Sequence, residues 1–284
     1  MKTIVITGSA RGLGFAMAED FRKADCNVVL SDLKEGNLRE AKEKLEKISS
    51  KGKIITVVCN VSKYEDLENL MQETLNNFKK IDVWINNAGV NQPQEPIYKC
   101  EKSAIDTVID VDLKGAIYGS KIAMSQMIKQ KEGAIYNIEG YGSNDAHMSG
   151  LNLYGTSKRA VTYLTEALAQ EAEGTGVIVG KLAPGIMITQ FTTHSLVNQD
   201  IKLSERTKKV YNILGDKPET VAKFFVDNIL TNKKNGVKIN WLTNGKAFYR
   251  FLTAGFNKRN FFDADSEIKQ LPGKQGNLWF PCFL

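Results

Sequence analysis

Tyr154 and Lys158 stand four residues apart in the run Tyr154-Gly155-Thr156-Ser157-Lys158. On a helix that spacing puts both side chains on one face, one turn apart. A cation beside a phenol favours the phenolate and lowers its pKa from about 10. Such a pair is a general acid/base near neutral pH. The same spacing also describes an exposed helical pair with no chemistry. What decides between the two is what the rest of the chain sets beside them.

A second chemical feature lies at the start of the chain. Gly8-Ser9-Ala10-Arg11-Gly12-Leu13-Gly14 follows the apolar run Thr3–Thr7 and precedes a helical pattern through Phe15, Ala16, Ala18 and Phe21. Strand, glycine-rich turn and helix make a phosphate cradle, because glycines let backbone N–H groups approach a pyrophosphate at the positive end of a helix. The spacing is Gly-x-x-x-Gly-x-Gly, not the G-x-G-x-x-G of the standard dinucleotide fingerprint. Asp32, with Leu33 beside it, ends the next strand pattern, 18 residues beyond Gly14. A carboxylate there accepts hydrogen bonds from ribose hydroxyls and repels a 2′-phosphate. NAD(H) is therefore favoured over NADP(H), against the pull of Arg11, whose guanidinium could pair with that phosphate. A turn residue after a strand is the plain alternative for Asp32.

These residues need a frame. Strand patterns at Thr3–Thr7, Asn27–Leu30, Ile54–Val58, Val83–Ile85, Ala134–Ile138 and Val237–Leu242 alternate with helical ones. Glu40–Lys47 reads as a highly charged helix. Ser62 and Glu65 read as a capping box before the helix that carries Leu67, Leu70, Met71 and Leu75. Pro218 reads as the first residue of another helix. Strand–helix alternation predicts an α/β fold, a doubly wound parallel sheet of the Rossmann type with helices on both faces. Ligands in such sheets sit beyond the carboxyl ends of the strands.

The chain has 284 residues and a net charge of +6, with basic residues scattered among acidic ones. No nucleic-acid footprint is visible, and no apolar run is long enough to span a membrane. Cys26, Cys59, Cys100 and Cys282 are widely spaced, as isolated thiols in a reducing cytoplasm would be, and a cytoplasmic location is expected. His147 and His194 are the only histidines, so no histidine-rich metal site is expected.

Thr7-Gly8-x-x-x-Gly12-x-Gly14, Asn86-Asn87-Ala88-Gly89, Tyr154-x-x-x-Lys158 and Pro184-Gly185-x-x-x-Thr189 occur in this order. Together they resemble the classical short-chain dehydrogenase/reductase family over about residues 1–245. The resemblance implies a single catalytic domain over 1–245, with a substrate lid at about 190–209. A C-terminal extension over 246–284 would pack on that domain or on a neighbouring subunit. It makes Tyr154 the proton donor or acceptor at the substrate oxygen. Lys158 would lower its pKa and bind the nicotinamide ribose. Asn87, Ala88 and Gly89 would line the adenosine side, with Asn60 and Val61 beside the adenine. Backbone groups at Ile188 and the hydroxyl of Thr189 would hold the carboxamide. A homodimer or homotetramer is implied, with helices around Lys114–Lys129 and Tyr154–Glu173 at the interface.

Two positions depart from the family pattern. Asp112 stands where the family has an asparagine in the middle of its fourth helix; its carbonyl could still hold a relay water, and its charge would alter the pKa balance. Gly140 stands where the family has its catalytic serine, so Ser143 is the candidate replacement donor and Tyr141 the second. A turn-capping serine is the plain alternative for Ser143. The run Asn137–Ser143 is similar to one branch of the family, the chlorophyll b reductases, which implies a bulky apolar substrate. Tyr141, His147, Met148 and Phe191 are the candidate substrate residues. The expectation is an enzyme that interconverts a secondary alcohol and a ketone on a hydroxysteroid or bile-acid type of molecule. The alternatives are a carbonyl on a pigment-like ring, or a non-catalytic NAD(H)-binding sensor.

Overall fold

The structure is a computed structural model that describes residues 1–92, 95–188 and 205–261. Seven parallel strands form one sheet in the order β3-β2-β1-β4-β5-β6-β7. They are β1 (Thr3–Thr7), β2 (Asn27–Asp32), β3 (Ile54–Val58), β4 (Val83–Asn86), β5 (Gly133–Ile138), β6 (Val177–Ala183) and β7 (Lys238–Asn240). The helices are α1 (Gly12–Lys23), α2 (Glu35–Glu46), α3 (Tyr64–Phe78), α4 (Lys102–Val108), α5 (Gly115–Gln130), α6 (Asn152–Glu171), α7 (Glu205–Leu214), α8 (Pro218–Thr231) and α9 (Asn244–Thr253). The strand order reverses between β1 and β4, which opens a crevice at their carboxyl ends.

Alternation along the strands builds the core on both faces. In β1, Ile4 and Ile6 pack with Met17, Phe21 and Phe225 on one side, while Val5 packs with Leu67, Leu70, Trp84 and Ala123 on the other. Strands buried on both faces read as continuous apolar runs, which is why most of them are visible in the sequence. The strand missing from that reading is β6, where Gly180 and Lys181 interrupt the apolar run. Pro218 does occupy the start of its helix. Ser62 does not cap α3. That helix begins at Tyr64 after Lys63, and the Ser62 hydroxyl donates to Asn60 Oδ1 at 2.8 Å. Asp66 instead accepts the Asn60 N–H at 2.8 Å, closing the entry to α3 from inside its first turn.

A buried polar line ties the sheet to the helix that carries Tyr154. Trp84 Nε1 donates to Asn86 Oδ1 (2.8 Å), Asn86 Nδ2 to Asn137 Oδ1 (2.7 Å), and Asn137 Nδ2 to Thr165 Oγ1 on α6 (2.9 Å). Buried amides with their partners in place are rigid and costly to disturb. Gly119 on α5 makes room for this line, since a Cβ there would stand 2.2 Å from Asn86 Oδ1.

At the far edge, Asp216 is a hub. Its carboxylate accepts from Arg250 Nη1 (2.6 Å), Arg259 Nη2 (2.6 Å) and Trp241 Nε1 (2.7 Å). Its backbone pairs with Ile186 and Ile188. The first part of the C-terminal segment is thereby fastened to the stretch after Pro184-Gly185. Residues 262–284 lie outside the described residues, as do Thr189, Phe191 and His194 and most of the expected lid. Among the described residues no helix is long and apolar enough to cross a membrane, and no cluster of His, Cys, Asp or Glu is arranged to hold a metal ion.

Candidate active site

The glycine turn and the loop after β4 are built against each other. Asn87 Nδ2 donates to the carbonyls of Thr7 and Gly8, both at 2.9 Å, and the Asn87 and Ala88 N–H groups donate to Thr7 Oγ1, both at 3.0 Å. Gly8 is obligatory, because a Cβ there would stand 2.7 Å from Ala88 Cα and its φ is +62°. Gly14 packs under Asn87 in the same way, with a virtual Cβ 2.5 Å from Asn87 Nδ2. Asn87 is thus a clamp on the turn, and Thr7, the first residue of the glycine motif, is its partner through its hydroxyl. Ser9 is also inward: its Oγ donates to the Ile6 carbonyl at 2.8 Å and accepts the Ser31 N–H at 2.9 Å. Gly12 is different, with φ +59° and open space where a Cβ would be. Arg11, the N-cap of α1, makes no side-chain capping bond. An open glycine at an uncapped helix N-terminus fits a pyrophosphate. Asp32 ends β2 with its carboxylate near the Lys34 N–H (3.5 Å), and Leu33 beside it is exposed. Asn60 and Val61 follow β3, Val61 buried against Gly115. Pro184 and Gly185 follow β6, and the Ile188 N–H donates to the Asp216 carbonyl at 3.0 Å.

Tyr154 and Lys158 sit across this crevice on the first two turns of α6. Lys158 is buried, with Nζ 3.4 Å from the Ile138 carbonyl, 3.9 Å from Asp112 Oδ2 and 5.5 Å from the centre of the Tyr154 ring. Gly140 faces the tyrosine directly. A Cβ at Gly140 would be 2.4 Å from the Tyr154 hydroxyl and 3.1 Å from Lys158 Cγ. Gly140, where the sequence resemblance implies a serine, is therefore space that the tyrosine uses. Ser143 is 5% exposed. Its Oγ accepts the Gly140 N–H at 3.2 Å and donates to the Lys158 carbonyl at 3.3 Å, so in this arrangement the hydroxyl braces the turn after β5 against α6. Tyr141 and Met148 are half-buried in the loop between β5 and α6, and His147 is exposed there.

Asp112 lies in a π-helical stretch, Ile109–Lys114, inserted between α4 and α5. Such wide turns recur at functional sites, and nothing in the local sequence announces one. The carboxylate is 1% exposed; Oδ1 accepts the Val90 N–H at 2.7 Å, and Oδ2 has no hydrogen-bond partner among the described residues. Burial raises its pKa to about 6, opposed by Lys158 and the Val90 N–H. The Tyr154 phenol is pushed above its ordinary value, first by burial and then by the Asp112 charge. This corrects the expected lowering by Lys158. The helical spacing does bring the two residues together, but burial and the Asp112 charge are what move the phenol, and both disfavour the phenolate.

Asp112 gives a pH signature with a definite sign. Its pKa is raised from 3.8 to about 6 on folding, so the folded state holds the proton more tightly than the unfolded one. The stabilisation is complete below about pH 4 and is lost as pH rises through about 6. Relative to Asp112→Asn, the wild type should lose about 3 kcal/mol of stability between pH 4 and pH 7, at about 1.4 kcal/mol per tenfold change in proton affinity. Urea melts of both proteins across that range measure the difference, and a difference independent of pH would refute it.

The short chain dehydrogenase family model matches residues 2–200. The chain is 29% identical over 278 residues to the probable chlorophyll(ide) b reductase NYC1, chloroplastic, of Arabidopsis thaliana, covering 92% of this chain and 55% of that protein. It is 30% identical over 259 residues to the chlorophyll(ide) b reductase NOL, chloroplastic, of Oryza sativa subsp. japonica, covering 88% of this chain and 74% of the relative. The chain thus spans about half the length of the first of these relatives. Among solved structures, levodione reductase superposes with a TM-score of 0.76 at 22% identity, over 87% of this chain and 98% of that one. The glycine turn after β1, the Asn86–Gly89 loop after β4 and the Tyr154–Lys158 pair on α6 stand within the matched span, and the chain belongs to the short-chain dehydrogenase family.

Proposed function

We propose that this chain interconverts a carbonyl and an alcohol on a bulky, apolar ring substrate, with Tyr154 exchanging the proton at the substrate oxygen. The observation that carries the reading is the Tyr154 hydroxyl set against Gly140, with Lys158 and Asp112 behind it, at the carboxyl ends of β4 and β5. A nicotinamide cofactor supplies or takes the hydride when bound. In the reducing direction hydride adds to the carbonyl carbon and the Tyr154 proton goes to the oxygen. Asp32 favours NAD(H) over NADP(H), and Lys158 would hold the coenzyme's nicotinamide ribose. Tyr141 and Met148 line the substrate side, and Ser143 braces the turn that holds Gly140. The two plant relatives act, by their names, on chlorophyll(ide) b. They support the pigment-like ring carbonyl over the hydroxysteroid reading. A homodimer through α5 and α6 accords with Tyr163, which is 75% exposed, and with the exposed Ile117 and Ile128.

The test is a spectrophotometric screen with NADH and NADPH against formyl-bearing tetrapyrroles, steroid ketones and small ketones. Oxidation of NADH with the tetrapyrrole and much slower turnover of the steroids is the expected result. A preference for NADPH would overturn the reading of Asp32. Tight coenzyme binding with no turnover of any carbonyl would turn the assignment to a coenzyme sensor.

A further inference from the structure

The start of α6 is capped from another part of the chain. The residue before the helix is Leu151, whose side chain offers no acceptor, and no side-chain cap bond is made there. First-turn N–H groups without acceptors are costly when shielded from water. Gln92 supplies what Leu151 lacks. Its side chain comes from the loop after β4 and is 1% exposed. Gln92 Oε1 accepts the Tyr154 N–H at 2.7 Å, and Nε2 donates to the Gly150 carbonyl at 2.8 Å. One end of the amide holds the backbone of the tyrosine, and the other holds the chain just before the helix. The amide orientation is fixed by these partners, because an N–H can face only an acceptor.

The same loop carries the other parts of the site. Asn87 clamps the glycine turn through the Thr7 and Gly8 carbonyls. Val90 donates its N–H to Asp112. Gln92, a little further on, reaches Tyr154. This short stretch connects the nucleotide cradle, the buried carboxylate and the proton-transfer helix.

We propose that Gln92 is a positioning residue that sets the depth of the Tyr154 hydroxyl against Gly140. The proposal rests on the reading of Tyr154 as the proton-transfer group. Gln92 holds Tyr154 by its backbone N–H, so it acts through the tyrosine and not on substrate. Thr165, bonded to Asn137, fixes α6 further along, and Gln92 fixes its start, where Tyr154 stands.

Two variants test this, with Tyr154→Phe run beside them. Gln92→Met keeps the length and removes both polar atoms; kcat should fall by about 10- to 100-fold, as expected for a misplacement of about 1 Å, with KM for the coenzyme within about twofold of wild type. Gln92→Glu keeps an acceptor for the Tyr154 N–H at a helix N-terminus, where a carboxylate is favoured, but turns an oxygen toward the Gly150 carbonyl, and should recover part of the lost kcat. A merely structural glutamine would lower stability in both variants and leave the kcat of the folded fraction unchanged, which overturns the proposal. If Gln92→Met does not fold, Gln92→Asn, whose amide stops one methylene short, is read in the same way. Wild-type kcat in Gln92→Met with an inactive Tyr154→Phe would sink the positioning role alone. Activity surviving in Tyr154→Phe would sink it together with the assignment of the tyrosine.

Discussion

Tyr154→Phe is expected to lower kcat by about 10²- to 10⁴-fold, the range that general acid/base catalysis contributes, and to leave coenzyme affinity and thermal stability nearly unchanged. The ring and its contact with Lys158 survive the substitution, so packing against the helix is kept. The hydroxyl at Gly140 is lost. Burial and the Asp112 charge both push the phenol above its ordinary pKa, so it holds its proton throughout the neutral range. A protonated phenol suits donation to an oxygen, the step needed for carbonyl reduction. The reductive rate should therefore be flat from about pH 6 to pH 8. Alcohol oxidation, which needs the phenolate, should climb with pH above that range. Initial rates in both directions, with coenzyme affinity read separately by fluorescence titration, check both statements. Residual reduction in Tyr154→Phe within about tenfold of wild type would move the proton source to another group. Asp112, with a pKa of about 6, would then be the first candidate.

How far the sequence reveals this site depends on the kind of contact involved. The β1 strand Thr3–Thr7 is legible because a strand buried on both faces is an unbroken apolar run. The Tyr154–Lys158 pairing is legible because helical spacing alone puts residues four apart on one face. The helix expected at Glu40–Lys47 begins earlier, at Glu35. Gly36 and Asn37 are poor helix formers, and burial of Leu38, Ala41 and Leu45 outweighs that local preference. Links between residues distant in sequence cannot be read in advance. Gln92 and Tyr154, and Asn137 and Thr165, meet only through the sheet order. The π-helical setting of Asp112 and the direction of the tyrosine's pKa are also out of reach, because both depend on burial and not on neighbours in the chain. The fastening of Arg250 and Arg259 to Asp216 belongs to the same class.

Gly140→Ser introduces the serine that the sequence resemblance implies there, and it is expected to reduce kcat by about 10²-fold. The Cβ alone would stand 2.4 Å from the Tyr154 hydroxyl, 3.0 Å from its Cζ and 3.1 Å from Lys158 Cγ. Carbon contacts are comfortable only near 3.5–4.0 Å, about 1 Å further out. Something must move, and the tyrosine backbone is held by Gln92 while α6 is held by the Asn137–Thr165 bond. The adjustment falls on the tyrosine ring or on the turn braced by Ser143. A displacement of about 1 Å in a reacting group costs on the order of 10²-fold in rate. The new hydroxyl could offset part of that by donating to a developing oxyanion, an interaction for which a lost donor costs about 2.7–4 kcal/mol elsewhere. Gly140→Ala separates the two effects, since it carries the same Cβ without the donor. If crowding dominates, Ala and Ser should fall alike. If the oxyanion lacks a donor in the wild type, Ser should exceed Ala by about tenfold or more. A Gly140→Ser protein as fast as wild type would mean that the tyrosine adapts freely, and that the fit between Gly140 and Tyr154 has no part in placing the proton.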